Sequence, residues 1–110
     1  MYKTTITNKE YLRITATLFI KNLNRLIEIE KKNKRGKIPL PLLKEKHDIL
    51  HNIYEALSNM LKEIDYSDKK MVEFSDTLNE IGRLISIAST NSDIQYYEQA
   101  IKYFTYMIID

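Results

Sequence analysis

Apolar residues recur along this chain at alternating steps of three and four, with polar residues filling the gaps. The most regular run is Ser67 to Ala88, where Met71, Phe74, Leu78, Ile81, Ile85 and Ala88 fall on one stripe. That is the period of an α-helix burying one face. Gly82 lies in the same stripe, which predicts the close approach of another backbone. Ser67 or Asp65 can cap this helix, and Asp68 suits its positive end.

The same reading applies upstream. A first helix is expected from Thr7 or Asn8 to about Lys34, opened by a capping box of Thr7 with Glu10. Leu12, Ala16, Phe19, Leu23, Leu26 and Ile27 cluster on one side, and Tyr11, Ile14, Leu18 and Ile29 form a second apolar stripe. A helix apolar over so wide an arc is wrapped by several neighbours or carries a partner-binding face. Gly36 is expected to end it in a left-handed cap. Pro39 holds Ile38 extended, and Pro41 suits the first turn of a second helix from Leu40 to Ile64. Its stripe is Leu43, Leu50, Ile53, Leu57, Met60 and Ile64, with Tyr54 and Leu61 beside it. Lys46 stands in the slot between Leu43 and Leu50, which places that end of the stripe near solvent.

The break at DYSD is short enough to make the second and third helices an antiparallel hairpin. Asn91-Ser92-Asp93 is the next break, and Ser92 with Gln95 reads as another capping box. The last helix carries Ile94, Tyr97, Ile101, Phe104 and Ile108 in register, flanked by Tyr96, Tyr103, Tyr106 and Met107. Four amphipathic helices with short loops predict an all-α, four-helix up-down antiparallel bundle over residues 1–110, a single domain. The other arrangement is a three-helix core whose last helix docks loosely or on a second subunit.

Composition sharpens this picture. Two Gly and two Pro in 110 residues leave little material for the turns of a β fold. The 44% apolar and 29% charged content suits a folded domain, and a net charge of +2 implies no nucleic-acid partner by itself. With no Cys there are no disulfides, thiolate metal sites or thiol catalysis, which fits a cytoplasmic protein. The segment MYKTTITNKEYLR does not read as a signal peptide, and Lys, Asn or Glu cuts every apolar stretch short of a membrane span.

Three constellations could carry function. His47 and His51 share a helix face with Glu55, but HDILH lacks the glutamate of the HExxH zinc motif. His at the edge of an apolar stripe is ordinarily a boundary residue, so no metal or cofactor is expected. Lys31, Lys32, Lys34, Arg35 and Lys37 form a basic run that Lys44 and Lys46 extend. It could meet phosphate, nucleic acid or an anionic surface, or simply complement the negative end of the first helix. No aromatic residue is interleaved to stack on bases. The third is the surplus of Tyr and apolar residues on the last helix. Tyr96, Tyr103, Tyr106 and Met107 exceed what one side can bury, and with Tyr11, Ile14 and Leu18 they are the candidate surfaces for a protein partner or a second copy of the chain.

An enzyme of the chorismate mutase type would need helix-borne cations converging on a dianion. Arg13, Arg25, Lys34, Arg35 and Glu45 are present, but Arg13 and Arg25 fall on different faces. Neither a Ser-His-Asp set, a carboxylate pair nor a Gly-rich phosphate loop appears, so no catalysis is expected.

PLPLLKEKHDILHNIYEALSN followed by YSDKKMVEFSDTLNEIGRLISIAS resembles the second half of the pediocin-like, enterocin A type bacteriocin immunity proteins. The shared features are a Pro-Leu pair opening a helix, a short turn with Ser and an acidic residue, and the stretch Glu80-Ile81-Gly82-Arg83. The resemblance covers about half the chain. It implies a cytosolic, non-enzymatic protein that protects a producer cell by binding at the sugar-transporter receptor; a bacterial or phage source is expected. A whole tyrosine-rich helix stands where that family has an irregular tail, so no recognition residue carries over. The expected function is therefore non-catalytic protein binding, as an immunity or inhibitor protein. A nucleic-acid or anionic-surface binder through Lys31 to Lys37 is the alternative, and a small helical enzyme the third.

Overall fold

The computed structural model describes the backbone of residues 9–109 and the side chains of residues 13–106. The chain forms four helices, α1 (Lys9–Glu30), α2 (Leu40–Lys62), α3 (Lys69–Asn91) and α4 (Ile94–Ile109). Neighbours in sequence are neighbours in space, and α4 closes the ring against α1. The result is a four-helix up-down bundle measuring 50 × 21 × 21 Å. The expected Thr7–Glu10 capping box, and the side chains of Tyr11, Leu12, Met107 and Ile108, lie outside the described residues.

Each stripe supplies its share of a common core. Phe19, Leu23 and Leu26 of α1, Ile53 and Leu57 of α2, and Leu78, Ile81 and Ile85 of α3 are all buried. Leu84 is buried as well, although it lies outside the stripe that the spacing picks out. The loosely docked last helix is ruled out, because Tyr97, Ala100 and Phe104 of α4 are buried too. Phe104 stacks on Phe19 with ring centroids 4.7 Å apart, which locks α4 to α1.

The joints differ from the expected ones in physically telling ways. The first helix ends at Glu30, not Lys34. Lys32 and Asn33 tighten to Ile29 and Glu30 carbonyls, and Lys34 then pairs with Lys37 through two backbone hydrogen bonds of 2.8 and 3.1 Å. Arg35 (φ 56°) and Gly36 (φ 79°) form the corners of that turn, a type I′ geometry. Gly36 is thus left-handed as expected, but as a hairpin corner and not a helix cap. At the start of α3 the cap is Asp68, which accepts from the Lys70 N–H, while Asp65 accepts from the Ser67 N–H and hydroxyl in the turn before it. Ser92 does not open α4. It closes α3 in a left-handed conformation (φ 52°), and Asp93 caps α4 by accepting from the Gln95 N–H. Gly82 brings no backbone close, since a Cβ there would meet only the Leu57 side chain at 3.8 Å.

Candidate functional site

Among the described residues, one buried polar node stands out, at the end where α1 stops and α2 starts. Lys46 is 7% exposed, so the expectation that it leaves its stripe open to solvent is overturned. Its ammonium lies 2.8 Å from Glu30 Oε2 and donates to the Ser89 carbonyl at 3.1 Å. The Tyr97 hydroxyl donates to the same Glu30 oxygen at 3.2 Å. The Glu30–Lys46 pair thus joins all four helices: Glu30 of α1 meets Lys46 of α2 and Tyr97 of α4, and Lys46 reaches Ser89 of α3. Burial and the facing carboxylate push the Tyr97 hydroxyl well above the ordinary phenol range. Glu30 Oε1 is buried without a partner, so the node holds its charge by the Lys46 contact above all. Sequence did carry a signal for it. Glu30 continues the Phe19–Leu23–Leu26 register and Lys46 sits within the Leu43–Leu50 register, so opposite charges occupy core slots at one end of two adjacent helices.

The aromatic residues of α4 divide. Tyr97 is core, Tyr96 is half-buried, and Tyr103 and Tyr106 are 39% and 70% exposed. Tyr103 and Tyr106, one turn apart, line a shallow groove with Gln99 and Lys102. Lys102 makes no ion pair among the described residues. On the adjacent α3, Arg83 is clasped by Glu80 and lies close enough to Tyr96 and Tyr103 to feel their hydroxyls. That bond raises the Arg83 guanidinium further and holds the Glu80 carboxyl below the usual range. The aromatic flank of α4 therefore faces the α3 side of the bundle.

The second stripe of α1 lies elsewhere. Ile14 and Leu18 are each 56% exposed, whereas Ile29 of the same stripe is fully buried in the core. Arg25, on that stripe's flank, makes a fork with Glu45 of α2 (2.6 and 2.8 Å) and a 3.1 Å bond to Glu28. Ile14 and Leu18 thus belong to the α1–α2 face, and Tyr103 and Tyr106 to the α3–α4 face on the opposite side. The two expected docking surfaces are not one. Tyr11 and Met107 fall outside the described side chains.

Lys31, Lys32, Lys34, Arg35 and Lys37 are all exposed around the type I′ turn. Lys32, Lys34 and Lys37 line a groove with Ile38 and Pro39. The cations that an enzyme would need do not converge: Arg13 is exposed, Arg25 is committed to Glu45, and Lys34 and Arg35 stand on the turn. His51 reaches Glu55 at 3.9 Å along the helix surface, and no three metal-ligating side chains come together among the described residues. No protein family, curated protein or solved structure matches the chain.

Proposed function

We propose that the chain is a non-catalytic binding protein that docks a protein partner on the α3–α4 face, centred on Tyr103 and Tyr106. The observation that carries this is the pair of exposed tyrosines, one turn apart, on a helix whose other side is anchored by Tyr97, Ala100 and Phe104. The helix that carries them is fixed in the bundle before any partner arrives. The tyrosines offer large amphipathic area at low entropic cost, which is the character of binding hot spots. Lys102, which lines the same groove, favours a partner that presents a carboxylate beside an apolar anchor.

The resemblance to bacteriocin immunity proteins supports the same class of function, and it touches the same face. Of Glu80-Ile81-Gly82-Arg83, Ile81 is buried in the core, while the Glu80–Arg83 pair borders Tyr96 and Tyr103. An immunity or inhibitor role is the form of protein binding we favour. The test is capture of partners by the intact chain, run in parallel with Tyr103→Ala and Tyr106→Ala. A partner kept by wild type and lost by both variants supports the reading. A partner kept by both variants overturns it.

A further inference from the structure

The end of the bundle that carries the type I′ turn has properties the tyrosine face does not explain. Residues 31–44 hold six cations, Lys31, Lys32, Lys34, Arg35, Lys37 and Lys44, and no carboxylate. Of the acidic residues that flank this segment, Glu28, Glu30 and Glu45 are engaged elsewhere, and the exposed Asp48, one turn beyond Lys44, forms no ion pair with it among the described residues. Glu28 and Glu45 are held by Arg25, and Glu30 is turned inward to Lys46. Asp93, at the same end, is occupied in capping α4. The six cations are left without an ion pair among the described residues. The turn also sets Lys34 directly across from Lys37, a like-charge pairing that costs stability and that a bound anion would relieve.

An apolar tip stands within this ring of charge. Leu40 is 76% exposed, with Pro39 and Pro41 exposed on either side of it. Lys44 lies one helical turn on, on the same face as Leu40. The first turn of α2 adds to the positive field, because it holds no acidic residue and Pro39 gives it no side-chain cap.

We infer that this end of the bundle is a docking surface for an anionic phospholipid membrane, with Leu40 entering the interface and Lys32, Lys34, Arg35, Lys37 and Lys44 meeting lipid phosphates. An exposed aliphatic residue ringed by unpaired cations is the pattern of peripheral membrane attachment. A nucleic acid would gain from the cations but not from Leu40, and no aromatic residue stands in the groove to stack a base. No helix among the described residues is long and apolar enough to cross a membrane, so the contact is peripheral.

The test is flotation of the full chain with vesicles of phosphatidylglycerol and phosphatidylcholine, against phosphatidylcholine alone, at low and high salt. Wild type is expected to float only with the anionic vesicles and to be released by salt. Lys34→Gln with Arg35→Asn is expected to weaken partitioning about 25-fold, at about fivefold for each cation removed. Leu40→Ser is expected to weaken it several-fold while leaving the salt dependence unchanged. All three positions are exposed, and circular dichroism is the check that the variants fold. Failure of wild type to bind anionic vesicles at low salt would overturn the inference. So would wild-type affinity in Leu40→Ser together with full competition by a single-stranded oligonucleotide, which would mark a nucleic-acid surface. Displacement by millimolar inorganic phosphate would overturn it too, by pointing to a single-phosphate pocket.

Discussion

Lys46→Met tests the buried node and, through it, the way the four helices are held in register. The Glu30 side chain is wholly buried, and its Oε1 already has no partner. Its other oxygen has two contacts, Lys46 at 2.8 Å and the Tyr97 hydroxyl at 3.2 Å. Methionine matches the lysine stem in length but removes the charge. A buried carboxylate is then left with one neutral hydrogen bond, a state that costs about 3–5 kcal/mol. For a chain of this size that lowers the melting temperature by about 12–20 °C. The assay is urea unfolding followed by circular dichroism, with a thermal melt beside it. The companion is the triple variant Glu30→Leu, Lys46→Met, Tyr97→Phe, which replaces the whole node with apolar groups. Replacing a buried ion pair outright is often neutral or stabilising, so the triple variant is expected within about 1 kcal/mol of wild type. A loss below about 1 kcal/mol for Lys46→Met alone would refute the argument, because the buried Glu30 would then not depend on Lys46.

Further expectations follow from single contacts. Tyr97 is raised above the ordinary phenol value of 10.0, so its contribution is fully present below about pH 10. It is lost as pH rises further, because the unfolded phenol ionises first, at up to about 1.4 kcal/mol per pH unit. Tyr97→Phe should remove that part of the alkaline decline, as seen in denaturation midpoints at pH 9 and 11. Arg25→Ala breaks a fork to Glu45 that is open to solvent, and should lower the thermal midpoint only slightly, less still in high salt. Gly36→Ala, at φ 79°, should cost about 1 kcal/mol by thermal melt, while Arg35→Asn should be neutral or stabilising, because Asn tolerates the left-handed region better than Arg.

The helices were legible in the sequence because burial of one helical face leaves a period that composition cannot hide. Leu78, Ile81 and Ile85 sit in the core where their spacing puts them, and Leu40 starts α2 where Pro39 and Pro41 require. The joints were harder to read, because several residues there compete for one role. Asp68 rather than Ser67 caps α3, and Asp93 rather than Ser92 caps α4, and each choice depends on a backbone angle at a single residue. The Lys46 node was hidden for a different reason. A lysine in an apolar slot is satisfied only by a partner, and Glu30 and the Ser89 carbonyl come from other helices. The division of the tyrosines was partly visible. Tyr97 lies in register with Phe104, but whether Tyr103 or Tyr106 is covered depends on which helix α4 faces.

The proposal that Tyr103 and Tyr106 form a protein-docking face rests on their exposure along an anchored helix. Its most direct test is titration of the captured partner into wild type and into Tyr103→Ala/Tyr106→Ala, with light scattering on each protein alone. A loss of at least about 30-fold in affinity, near 2 kcal/mol, is predicted, with helical content and melting unchanged. Unchanged affinity would contradict the claim. So would a wild type that is itself a dimer and becomes monomeric in the double variant, since the face would then belong to a second copy of the chain.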